Sequence, residues 1–308
     1  MLSVTRDGFG CVTHGSGLSV FRAGERVALR GRLPDDLPVL ACHAVFDRGV
    51  GVALAGGLCA AELLCAVTVA GATRDGPAPE AAEPAKKARR DSSLQIFEER
   101  LVSAGNRGGV NSILLVPTGQ PEECTLQLAA FLGYQNGDVV RISLLVGRDK
   151  IVLVGSEQLL WSHRMDVRWI ARHEDHLCSC SDDGCLIFGS LSAKSSREPV
   201  QLCTDAELLS CVFHGPNLIY VSARNHSIYA VDCNLAARKQ KDMTWTRLDV
   251  PRLARSVGVS PDGAVAFGTN EKESFVFHPE DKSWRPVQLN LSDVASAFSS
   301  ISASAVSL

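Results

Sequence analysis

The chain has 308 residues, 45% hydrophobic and 21% charged, with a net charge of −3. That composition supports a large buried core and excludes the strongly basic balance of a general polyanion binder. Eleven cysteines are scattered along the chain with no Cys-x-x-Cys pair, and no secretory signal opens it; together these read as thiols of a reduced, intracellular protein rather than a disulfide framework.

In chain order, residues 3–13 and 17–21 read as short strands around His14-Gly15-Ser16-Gly17. Residues 39–46 and 50–55 follow, with Asp47-Arg48-Gly49 as their turn, and Gly56-Gly57 leads into 58–69. The stretch 50–72 has the length of a membrane span, but Glu62 and the Gly56-Gly57 pair favour two strands and a turn. Residues 71–93 carry Pro, Ala, Glu and cations and almost no large apolar side chains, so a mobile insertion is expected there. Residues 94–102 read as a strand or a short helix.

From residue 110 the pattern becomes regular: 110–116, 125–132 and 138–145 around Asn136-Gly137, then 150–154 and 158–161. Next come three strands within 163–191, the first carrying Val167 and Trp169 and the other two around Asp183-Gly184, then three at 207–213, 217–222 and 227–232 with Arg224-Asn225-His226 in the second turn, and three at 256–259, 264–269 and 274–278. Asp-Gly and Asn-Gly between apolar runs are strong hairpin signals, of the type I′ class with two positive φ angles. Turns at positions 17, 57, 137, 184, 226 and 273 are spaced by 40, 80, 47, 42 and 47 residues. The 80-residue gap is either two units, one degenerate, or one unit carrying the 71–93 insertion. Four-stranded units at this period predict an all-β fold, a β-propeller, with a sandwich as runner-up. The expectation is one propeller over 1–308 with seven four-stranded blades, six being the alternative. The N-terminal strand and the tail 294–308 would share a blade and close the ring.

Residues 161–191 resemble the WD40-repeat family. Ser162-His163 stands where that family has Gly-His, and Leu177 to Gly184 resembles its second strand and Asp-Gly turn. Ser260-Pro261-Asp262-Gly263 is similar to a loop many such repeats carry. The signature Trp-Asp is absent; Phe188-Gly189, Ile142-Ser143, Val231-Asp232 and Phe277-His278 take its place. The resemblance implies a buried network in each blade, here reduced to His163, Ser179 or Ser181, and Asp182 or Asp183. His163, Ser179 and Asp183 are the expected members.

The resemblance also implies a non-catalytic scaffold with protein subunits as partners. Arg164, Trp169 and Arg224 are the candidate contact residues, since Arg and aromatic side chains dominate hot spots. His173, His176, Cys178, Cys180 and Cys185 lie close together, but their spacing fits no usual zinc set, so core cysteines and loop histidines are expected, with no metal or cofactor. No nucleophile elbow, phosphate loop or His-Glu-x-x-His is present, so no enzyme constellation is named.

Lys86, Lys87, Arg89 and Arg90 form four cations in five positions and read as a nuclear-import signal for an import receptor; the plain alternative is a solvated run balanced by Glu80 and Glu83. Ser92 and Ser93 follow, where phosphorylation would add negative charge against that recognition. The expected location is the nucleus, with the cytoplasm as a second site, and no membrane association. Two other functions stay open. One is an accessory subunit of an RNA-processing or RNA-modifying enzyme, using Arg164, Arg168, Arg172, Arg252 and Arg255. The other is a metal-dependent hydrolytic propeller.

Overall fold

Strands form where apolar runs lie between turn residues, and every four consecutive strands make one antiparallel meander. The structure is a computed structural model that describes residues 2–4, 9–14, 17–22, 25–32, 39–47, 50–57, 62–69, 95–102, 107–119, 125–147, 151–191, 199–233, 244–260, 263–269, 273–278 and 280–287. The first sheet is β1 (Leu2–Val4), β2 (Phe9–His14), β3 (Gly17–Arg22) and β4 (Glu25–Arg32). The second is β5 (Val39–Asp47), β6 (Val50–Gly57), β7 (Glu62–Val69) and β8 (Gln95–Val102). The third is β9 (Val110–Pro117), β10 (Leu126–Tyr134), β11 (Asp138–Val146) and β12 (Ile151–Ser162). The fourth is β13 (Val167–His173), β14 (His176–Ser181), β15 (Cys185–Ser190) and β16 (Val200–Cys203). The fifth is β17 (Leu208–Phe213), β18 (Leu218–Ala223), β19 (Ser227–Asp232) and β20 (Thr244–Asp249). The sixth is β21 (Ser256–Val259), β22 (Val265–Gly268), β23 (Ser274–His278) and β24 (Ser283–Pro286).

Each of the six turns used to find the period falls between the second and third strands of one sheet. The 80-residue gap is therefore one unit, with residues 70–94 between β7 and β8, and the two-unit alternative is overturned. Six sheets lie among the described residues. The tail 294–308 and the 71–93 insertion, with Lys86, Lys87, Arg89 and Arg90, fall outside them. The stretch 50–72 holds strands β6 and β7, and no described helix is long and apolar enough to cross a membrane.

Successive sheets pack through their first strands: β5 on β9, β9 on β13, β13 on β17, and β17 on β21. Side chains of a strand alternate between its faces, so each middle sheet feeds two junctions. On β9, Ile113 and Leu115 join the core shared with the second sheet, while Leu114 and Val116 join the core shared with the fourth. Burial on both faces explains why the inner strands read as continuous apolar runs rather than alternations. Each fully buried Leu or Phe there stabilises by about 2 kcal/mol. The junction between the second and third sheets also holds a buried histidine: the Leu115 amide donates to His43 Nδ1 at 3.3 Å. Burial pushes the His43 imidazole down from 6.5 to about 4.

The hairpin turns differ from the expected type. Gly137 and Gly184 have φ of 93° and 75°, but neither Asn136 nor Asp183 has positive φ. The amides of Gly137 and Gly184 bond back to the Tyr134 and Ser181 carbonyls at 3.2 and 3.1 Å. These are type I turns followed by a left-handed residue, not type I′ turns. His226 takes the same left-handed position in the fifth sheet, with φ of 57°.

Candidate functional site

The site is built where β12 of the third sheet hands over to β13 of the fourth. Trp161 Nε1 donates to Ser179 Oγ at 2.8 Å, and Ser179 Oγ lies 2.8 Å from His163 Nε2. His163 Nδ1 lies 3.4 Å from Asp183 Oδ1. An indole can only donate, so Ser179 Oγ accepts from Trp161 and shares a second hydrogen bond with His163 Nε2, while Nδ1 faces the Asp183 carboxylate. Burial alone would push the Asp183 carboxyl up, but hydrogen bonds from His163 and from the amides of Arg164 and Cys185 outweigh it and hold it at about 2. Ser179 and His163 are buried.

The network fixes the loop 163–166. The His163 amide bonds to the Gly137 carbonyl at 2.9 Å, and the Arg164 amide to Asp183 Oδ2 at 2.9 Å. Ser181 Oγ donates to the Met165 carbonyl at 3.1 Å, and the Asp182 amide to the Asp166 carbonyl at 3.2 Å. Asn111 Nδ2 reaches Asp166 Oδ2 at 3.1 Å. A Cβ at Gly137 would stand 2.2 Å from the His163 carbonyl oxygen, so that turn excludes any side chain. The backbone is held from the β10–β11 turn, the end of β14 and the β14–β15 turn, while Arg164 and Met165 are exposed, Met165 to 51%.

At the level of sequence, no family model and no curated protein matches the chain. Solved structures do match its shape. A chain of a mitotic checkpoint complex aligns with TM-score 0.58 at 13% identity, over 94% of this chain and 78% of that one. The WD40 β-propeller domain of Doa1 aligns with TM-score 0.55 at 11% identity, over 94% and 81%. The computationally designed Ika8 protein aligns with TM-score 0.53 at 11% identity, over 93% and 73%. The fold is a WD40-like β-propeller.

In this propeller the sheets are blades, and the missing signature tryptophan has a substitute. Trp161 comes from the outer strand of the preceding blade, two residues before His163, and delivers its N–H to the serine. Sequence reasoning missed it because it looked for the indole on the third strand of the same blade. The adjacency of Trp161, Ser162 and His163 was the available signal.

The other candidates are dispersed. Trp169 is half-buried and packs against the core shared by the fourth and fifth blades. Arg224 is exposed, and its Nε lies 2.8 Å from Glu207 Oε2. Among the arginines considered for RNA, Arg168 is paired with Asp182, with Nε to Oδ1 at 2.7 Å, which raises its pKa. Arg252 sits 3.6 Å from Glu273. Two of these five arginines are thus paired with carboxylates, while Arg164 is exposed and Arg172 Nε donates to the Glu174 carbonyl oxygen.

Of the zinc-like cluster, Cys178 and Cys180 are buried in the fourth–fifth junction, with Cys178 Sγ 3.6 Å from Cys211 Sγ. Among the described residues no three His, Cys, Asp or Glu side chains are grouped to hold a metal. Cys185 is bonded to Cys203, which corrects the expectation of thiols throughout. The two stand directly opposite on β15 and β16. The sequence did not show this because β16 carries too little apolar pattern to read as a strand.

Proposed function

We propose that the chain is a non-catalytic protein-interaction scaffold, one propeller over residues 1–308, serving in a nuclear multiprotein complex. The observation that carries this reading is the loop 163–166, whose backbone is pinned while Arg164 and Met165 face outward. A contact loop already fixed in the free protein loses little entropy on binding, and Arg is a favoured hot-spot residue. The outer strand β12 adds support: Val152, Leu153, Val154 and Leu159 are 40–53% exposed on one strand, a concentration typical of protein contact surfaces. Nuclear placement rests on the basic run Lys86, Lys87, Arg89 and Arg90. Alanine at those four positions removes nuclear enrichment in live imaging if the run is the import signal.

The test of the scaffold is affinity purification with mass spectrometry of the full chain and of Arg164→Glu/Met165→Ala. The wild type retains a defined set of subunits, and the variant loses them at unchanged melting temperature. An identical set from both would remove the loop from the contact surface. A wild type that retains no protein would reject the scaffold reading.

A further inference from the structure

Cys185 and Cys203 are the one disulfide among the described residues, while Cys178, Cys180, Cys211 and Cys233 are buried and outside any disulfide. The bonded pair differs from these in access: Cys185 is buried but Cys203 is exposed. Even Cys178 and Cys211, with sulfurs 3.6 Å apart, remain thiols inside an apolar junction. Burial raises the thiol pKa of both, which keeps them protonated and unreactive.

The pair clasps a weakly held element. β16 is four residues long; Leu202 enters the core, Val200 packs half-buried against it, and Gln201 and Cys203 are exposed. Its C-terminal end leads straight to the Thr204 amide on the Gly184 carbonyl at 2.9 Å and to Glu207, which pairs with Arg224. Both oxidation states are accommodated locally. Gln201 Nε2 lies 3.4 Å from Cys203 Sγ, placed to donate to a thiolate there. Cys185 Sγ lies 3.7 Å from the Asp183 carbonyl oxygen, an acceptor for its S–H when reduced. Exposed disulfides are the labile and regulatory class, unlike buried structural ones.

We propose that Cys185–Cys203 is a reversible thiol–disulfide site that exchanges with small disulfides of the glutathione class, and that its state sets how firmly β16 and the loop 204–207 are held. In the oxidising direction the Cys203 thiolate attacks glutathione disulfide, forming a mixed disulfide and releasing one glutathione thiolate. The Cys185 sulfur, giving up its proton to solvent, then attacks Cys203 Sγ and releases the second. Two protein thiols are oxidised and one glutathione disulfide is reduced to two glutathione molecules.

The test equilibrates the full chain, without oxygen, in buffers of graded reduced-to-oxidised glutathione ratio. Thiols are trapped by alkylation and located by peptide mass spectrometry. The expected result is a reversible passage of Cys185–Cys203 from dithiol to disulfide across the series. Hydrogen exchange over 200–204 rises several-fold on reduction, and Cys203→Ser shows the faster exchange at every ratio. A pair that stays bonded in the most reducing buffer is a structural disulfide and overturns the proposal. So does a pair that never forms in the most oxidising buffer, or exchange over 200–204 that ignores the redox state.

Discussion

The junction between the third and fourth blades and the junction between the fourth and fifth share strand β14 and both have an apolar core, yet only the first adds a chain of hydrogen-bonded side chains to it. Ser179 faces one way, into the chain of hydrogen bonds from Trp161 through His163 to Asp183. Cys178 and Cys180 face the other way, among Ala171, Leu186, Phe188, Cys211, Phe213 and Val221. Alternation along a single strand thus places a polar seam and an apolar seam back to back. The polar seam specifies a position, because its donors and acceptors must meet at fixed angles. The apolar seam supplies burial without direction. The outward-facing loop 163–166 belongs to the polar seam, where its position is set most tightly.

This contrast can be broken by measurement. Ser179→Ala leaves Trp161 Nε1 and His163 Nε2 without their shared partner, and each buried orphan costs about 1–3 kcal/mol. We expect a loss of about 4 kcal/mol in urea unfolding. A loss below about 1 kcal/mol would mean that the polar seam is held by packing like its neighbour.

The second–third junction buries His43 among apolar side chains, as the fourth–fifth junction buries His173 beside Phe213. His43 has a folded pKa of about 4 against 6.5 when free, so the unfolded chain binds more protons between those values. Its contribution is fully present above pH 6.5 and is lost as pH falls toward 4, amounting to about 3 kcal/mol. His43→Gln keeps an acceptor for the Leu115 amide and removes the titration, so its stability falls less steeply over that window. Parallel pH profiles for the two proteins would show that His43 is not the group that titrates.

The smallest effect is expected in the apolar seam. Cys211→Ser puts a hydroxyl where the wild type has a buried thiol beside Cys178, and should cost about 2 kcal/mol. A neutral outcome would reveal polar partners in that seam and would blur the distinction.

Legibility follows exposure. The first three strands of the later blades were readable because two buried faces demand apolar runs between turn residues. The outer strands β16, β20 and β24 were not, because their side chains are largely exposed and place little demand on sequence. β12 was readable only in two pieces, since its register against β11 shifts around Gly155, which has φ of 76°. At the site, His163, Ser179 and Asp183 were named from the repeat, and the structure brings them together. Trp161 was not, because its partner lies on the next blade.

The sequence by itself determined the repeat, the register of its second-to-third-strand turns, and the loop that precedes the fourth blade. These are local matters of apolar runs and of residues that tolerate positive φ. Only the tertiary structure decided that the long gap is a single blade, that an indole from one blade completes the network of the next, and that Cys185 meets Cys203. Each of these depends on which strands lie side by side. That is set by packing between segments distant in sequence, where no short-range pattern records the partner.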